Sequence, residues 1–198
     1  MVDIKFDFSS FQKEAQALGA AANQIPYILA NVLNTAAFAA RKELIETTWP
    51  SSVQIHNPNF LRAALRVATA SKYDLHVEIV DVLHRGNLGL HEFGGTKTPR
   101  VAHLAIPVSG KLVRGMRGIA KGQRPKQLIA TTPKRALRIL PSGIFIGEGG
   151  KLNLMYSFKT SVMQPKDVPF AQDFARVMVA KVNDALPRAV KFAMRTAR

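Results

Sequence analysis

The chain has 198 residues, with 28 Lys and Arg against 13 Asp and Glu and a formal charge of +15. Hydrophobic residues make up 47%, enough for a packed core, which argues against a wholly disordered chain. No apolar run nears the roughly 18 residues of a membrane span, the start MVDIKFDFSS lacks the apolar stretch of a secretory signal, and the absence of cysteine excludes disulfides and thiolate chemistry. The expectation is a soluble, very basic, intracellular protein folded as one domain over 1–198.

In chain order, Ser9 or Ser10 caps a short helix over 11–23. Pro26 suits the first turn of a second helix, 27–47. Ile28, Val32, Thr35, Phe38 or Ala39, and Lys42 or Ile45 repeat at the three-four spacing of one helix face. Its many alanines allow another element to approach closely, and Trp49-Pro50-Ser51-Ser52 ends it. Strands follow over 64–69 and 74–82, with Leu75, Val77 and Ile79 inward and a hairpin connection at 71–74. Residues 88–93 read as a short helix stopped by Gly94-Gly95, and 103–107 as a short buried strand. Two more strands, 135–140 and 143–147, hinge at Pro141-Ser142-Gly143. A last strand, 152–162, sets Leu154, Tyr156 and Phe158 on one face. A final helix runs from about 168 to 196, with Phe170, Phe174, Val177 and Lys181 on one face and Val182, Leu186 and Val190 on another; Pro187 should kink or split it. The fold class is α+β: N-terminal helices, a central, mostly antiparallel β-sheet with a long basic Gly-rich loop, and a long C-terminal helix.

Charge is unevenly spread. From Phe93 to Gly147 there is no acidic residue. The centre of that stretch, a flexible loop or hairpin at 109–127, carries Lys111, Arg114, Arg117, Lys121, Arg124 and Lys126. Guanidinium forks and backbone N–H groups in such a segment suit phosphate contact or an acidic protein surface. These six are the first candidate site. Arg188, Lys191, Arg195 and Arg198 form a second candidate contact, or else partner the helix C-terminal dipole. Glu92, Phe93 and Gly94 are candidates for local geometry or a subunit contact.

Catalytic readings are weaker. No pair of the five histidines has a recognised metal-ligand spacing. Gly147-Glu148-Gly149-Gly150-Lys151 lacks the Ser or Thr and the following helix of a phosphate loop, so it reads as a hairpin turn. No nucleophile elbow is present. No enzyme, metal or cofactor is therefore expected. A nuclease or other hydrolase stands as the third reading.

The stretch His91-Glu92-Phe93-Gly94-Gly95-Thr96-Lys97 resembles the Glu-aromatic-Gly-Thr element of phage tail-completion (neck) proteins. His103-Leu104-Ala105-Ile106-Pro107 and the segment from Tyr156 to Lys166 resemble a prophage group of tail proteins. The order of elements is similar to the minor tail protein Z family of lambda-like phages. Asp167, where Arg is commoner, and the extra Gly in Glu-Phe-Gly-Gly-Thr depart from the pattern. The resemblance implies a non-enzymatic virion protein at the head-proximal end of a long tail. It would form a ring, commonly a hexamer, that completes the tail and joins it to the head, touching other tail and connector proteins and the end of the packaged DNA. The rival reading is a non-specific nucleic-acid-binding module using the basic 97–138 stretch.

Overall fold

A computed structural model describes residues 24–55, 57–99, 101–115 and 118–196, without the side chains of 190, 193, 194 and 196. The helix expected over 11–23 lies outside these residues. The fold is α+β, with helices at the two ends of the described chain and antiparallel sheets between. The sequence announces no boundary, yet the chain gathers into two compact units. The first comprises the residues up to Val53, Asn59–Glu92 and those from Asp167 on; the second comprises Gln54–Pro58 and Phe93–Lys166.

The first unit is built on two helices, α1 (Ile25–Glu43) and the C-terminal helix (Phe170–Thr196). Pro26 sits in the first turn of α1, where its missing N–H costs nothing. The buried stripe of α1 is Ile25, Leu29, Val32, Leu33, Ala36, Ala37, Ala40 and then Leu44. This corrects the expected face: Thr35 is exposed and Phe38 is 54% exposed. The alanines decide the orientation, because small side chains let the C-terminal helix pack closely. That helix answers with Phe174, Val177, Met178 and Val182 buried, and with Phe170, Leu186 and Ala189 packed against them. Its expected two faces are therefore one, and Lys181 is exposed.

Helix continues past Glu43 through a π-helical turn, Leu44–Thr48, into a short α2 (Trp49–Ser52). Pro50 has no N–H to give, and the wider turn, in which Trp49 N–H reaches the Leu44 carbonyl, absorbs the defect. Trp49-Pro50-Ser51-Ser52 thus extends the helix rather than ending it. Thr48, 2% exposed, donates its hydroxyl to Asp173 Oδ2 at 2.6 Å.

Next come α3 (Phe60–Ala64), β1 (Leu65–Ala68) and β2 (Glu78–Asp81), the strands pairing antiparallel. The hairpin connection at Ser71–Asp74 closes by two backbone hydrogen bonds. Val77 is 1% exposed, and Leu75 and Ile79 pack on the same core, as their alternation predicts. Asn34 of α1 fixes this hairpin, donating to the Ala70 carbonyl at 2.9 Å and accepting the Ala70 N–H at 2.7 Å. The short helix α4 (Leu88–Phe93) stops at Gly94, whose φ is +71°.

The second unit holds β3 (Gly95–Lys97), β4 (Leu104–Pro107), β5 (Arg114–Gly115), β6 (Gly118–Ile119), α5 (Pro125–Thr131), β7 (Leu137–Leu140), β8 (Gly143–Glu148), β9 (Lys151–Lys159) and β10 (Val162–Gln164). A four-stranded antiparallel sheet runs in the order β4-β9-β8-β7, and β3 pairs with β10. β4 is therefore an edge strand, with Ile106 36% exposed, and not the buried strand expected at 103–107. A bulge between Ile144 and Phe145 shifts the β8–β9 register. Consequently Tyr156 and Phe158 face the small core as expected, whereas Met155 takes the place of Leu154. Gly143 is required at its turn, because a Cβ there would stand 2.0 Å from the Tyr156 carbonyl oxygen. The Gly149-Gly150 hairpin joins β8 to β9 with both glycines at positive φ, the turn reading of this sequence.

The C-terminal helix, numbered α6, is not split at Pro187. Pro187 and Asn183, whose carbonyl loses its donor, are both exposed, so water can take that carbonyl. Leu186 and Ala189 hold the turns on either side against the core.

Candidate functional site

The acid-free stretch seen in the sequence coincides with the second unit. That unit carries fourteen Lys and Arg against one acid, Glu148, a net +13; the rest of the chain carries fourteen against twelve, a net +2. Nearly all of the excess charge thus belongs to one compact body.

Within it, the segment expected as a flexible loop or hairpin at 109–127 carries a hairpin and further regular structure. β5 and β6 pair over Arg114↔Ile119 and Gly115↔Gly118. Ala120 N–H bonds the Val113 carbonyl at 3.0 Å, and Val113 N–H bonds Gln123 Oε1 at 2.6 Å. A 3₁₀ turn, Lys121–Gln123, leads into α5, which opens on Pro125. Leu112 and Leu128 insert on either side into the core of Ile144 and Tyr156. The Tyr156 hydroxyl donates to the Gln123 carbonyl at 2.8 Å. The apolar and hydrogen-bonded positions thus pin the backbone, while the basic ones face water.

Lys111, Arg114, Lys121, Arg124 and Lys126 are all exposed. Arg117 lies outside the described residues. Arg114 and Arg124 stand near the Tyr156 hydroxyl: burial raises its pKa, and these two cations pull against that rise. Lys134, Arg135 and Arg138 add exposed charge just beyond α5. Arg138 Nη1 donates to the carbonyls of Lys134, Arg135 and Leu137, which fixes that turn. A surface of this kind can hold polyanions by many individually modest contacts.

The Glu92–Phe93–Gly94 element resolves into separate roles. Glu92 is 6% exposed, and its Oε2 accepts the Ala171 N–H at 3.0 Å. Ala171 lies in the first turn of α6, where backbone N–H groups lack helical partners. Glu92 is thus a helix cap reached from 79 residues away. Its neighbour His91 places Nδ1 2.7 Å from Asp167 Oδ1, and the Asp167 N–H bonds the His91 carbonyl at 3.0 Å. The departure at Asp167 therefore coincides with a partner for His91. Trp49 meets the His91 ring edge-on at 5.3 Å and stacks on Phe170 at 5.8 Å. Gly94 brings backbone against backbone, since a Cβ there would lie 3.1 Å from Lys166 N. Phe93 alone faces outward, 63% exposed.

On α6, Arg188, Lys191 and Arg195 are exposed, and Arg188 pairs with Asp184 one turn earlier. Arg198 lies outside the described residues. Among the described residues no three His, Asp or Glu side chains gather as metal ligands, and no helix is long and apolar enough to cross a membrane. Sequence reasoning missed Asp167 and Tyr156 as organisers, because neither contact has a signature in spacing. No protein-family model, curated protein or solved structure matches this chain.

Proposed function

We propose that the chain is a structural subunit of the neck of a long-tailed phage. In this reading it assembles as a ring at the head-proximal end of the tail and presents its second unit to a polyanion. The observation that carries the reading is the partition of charge, +13 on the second unit against +2 on the rest. A near-neutral helical body is suited to packing against protein neighbours, and a basic body to the end of the packaged DNA or an acidic ring of a neighbouring tail protein. The pinned basic hairpin supports it, because fixed charges lose less entropy on contact than a mobile loop. The resemblance of His91–Lys97 to the tail-completion element adds the setting. Phe93 is the outward apolar side chain of that element and the subunit contact we assign to it.

Native mass spectrometry of the purified chain, with and without short duplex DNA at two salt concentrations, tests this. The expected result is a discrete ring, formed alone or with a partner tail protein. DNA held by the six basic residues of 109–127 would weaken with a log–log salt slope of about −5. A chain that stays monomeric and ignores both DNA and tail proteins refutes the proposal. A monomer that binds DNA steeply and never assembles replaces it with the nucleic-acid-binding reading.

A further inference from the structure

The four-stranded sheet of the second unit has two unlike faces. Side chains alternate along its strands, and the registers put Ile144, Ile146 and Tyr156 on the face that Leu112 and Leu128 cover. The opposite face carries Leu104 and Ile106 of β4, Leu152 and Leu154 of β9, Phe145 of β8 and Leu140 of β7. None of these six belongs to either core. Ile106, Leu140 and Leu152 are exposed, Leu152 by 57%, where an antiparallel sheet that faces water carries polar side chains. We propose that this face is the seat of an acidic amphipathic helix of a partner protein. The inference does not rest on the neck reading.

Charge selects the partner. The second unit carries a net +13, and its one acid, Glu148, is one residue out of step with Gly147 and Leu152, so it stands off this face. Arg138 and Lys159 lie on it, in register with Phe145 and Leu104. A second copy would bring +13 against +13, which repels. A phosphate backbone would meet six apolar side chains in place of donors. An acidic protein with an apolar stripe of its own satisfies both the apolar centre and the two cations. The sheet edges select its form. β4 ends in Pro107, which has no N–H to offer an added strand. On β7, the Leu137 N–H bonds the Pro133 carbonyl at 3.0 Å, and the Leu137 carbonyl accepts Arg138 Nη1 at 2.9 Å. Strand addition is thus hindered at both edges, whereas a helix laid on the face needs neither. Four strands about 4.8 Å apart span about 14 Å, enough to seat a helix about 10 Å across.

The test uses the full-length chain and a synthetic helical peptide of about 18 residues, about five turns. Leucines line one face of the peptide and glutamates the other, with a photoreactive benzophenone on the leucine face. The same peptide with lysine in place of glutamate is the control. Saturable binding of the acidic peptide is expected, with cross-links mapped by mass spectrometry to Leu104, Ile106, Phe145, Leu152 and Leu154. This map is read on the parent chain and so does not depend on how any variant folds. Ile106→Ser with Leu152→Ser, both exposed positions, should weaken binding about ten-fold. Val113→Ser, at an exposed apolar position of the basic segment, should leave it unchanged. Cross-links confined to 109–127, equal binding of the lysine peptide, or no saturable binding overturns the proposal. Self-association of the chain that Ile106→Ser with Leu152→Ser abolishes assigns the face to a second copy and also overturns it.

Discussion

Removing the Glu92 carboxylate should weaken the first unit in a graded way. α6 runs for 27 residues, and its first turn has no side-chain cap of its own: Pro169, the carbonyl of which accepts the Asp173 N–H at 3.0 Å, stands where Ser or Asp would serve. Glu92 fills that role at Ala171 from inside the protein, 6% exposed. Loss of a cap costs about 1 kcal/mol, and a partly buried negative charge at a helix N-terminus adds up to about 2 kcal/mol. Glu92→Ala should therefore cost about 2 to 3 kcal/mol. Glu92→Gln keeps an acceptor oxygen and loses the charge, so about 1 kcal/mol is expected. Trp49, the chain's one tryptophan, packs on Phe170 and His91 and reports on this region. Urea unfolding followed by its fluorescence should show the midpoint falling by about 1 M for the alanine variant, at an unchanged slope of about 2 kcal/mol/M. An alanine variant within about 0.5 kcal/mol of the parent, or a glutamine variant less stable than the alanine one, would refute the capping argument.

Gly143→Ala puts a methyl group 2.0 Å from the Tyr156 carbonyl oxygen and 2.8 Å from Leu154 Cδ1. Backbone cannot yield there cheaply, so a loss of more than about 3 kcal/mol is expected; amide exchange across β8 and β9 that matches the parent would contradict it. Tyr156→Phe strips the Gln123 carbonyl of its donor and should cost about 1 to 2 kcal/mol, read as a lowered melting temperature. The Tyr156 pKa is raised above 10.0 by burial, against the pull of Arg114 and Arg124. Protons therefore stay bound longer in the folded state, so this group's contribution is complete below pH about 10 and is lost as pH rises through the folded pKa. The parent should lose stability in that alkaline window, and Tyr156→Phe should lose less of it; identical pH profiles would remove the assignment. Arg114→Ala with Arg124→Ala should lower the salt slope of polyanion binding by about 2, whereas an unchanged slope would place the contact elsewhere.

Much of the local structure is legible from pattern alone. Gly94, the Gly149-Gly150 turn and the alternation at Leu75, Val77 and Ile79 are punctuation and period, which act over a few residues, and each is where its pattern places it. The basic stretch was legible for the same reason, since charge is a property of composition. Tertiary structure decided the rest. Which side of α1 is buried depends on the alanine stripe meeting α6, a choice that the three-four spacing of Ile28, Val32 and Thr35 leaves open. Pro187 reads as a helix break, yet the turns on either side are anchored to the core and its own side faces water. A bulge, set by how β8 meets β9, exchanged Leu154 for Met155. Nothing near Glu92 and His91 in the sequence points to Ala171 and Asp167, more than 70 residues on, which the fold sets beside them. Spacing along a chain carries no record of such distant partners, because only the tertiary fold brings them within reach of each other.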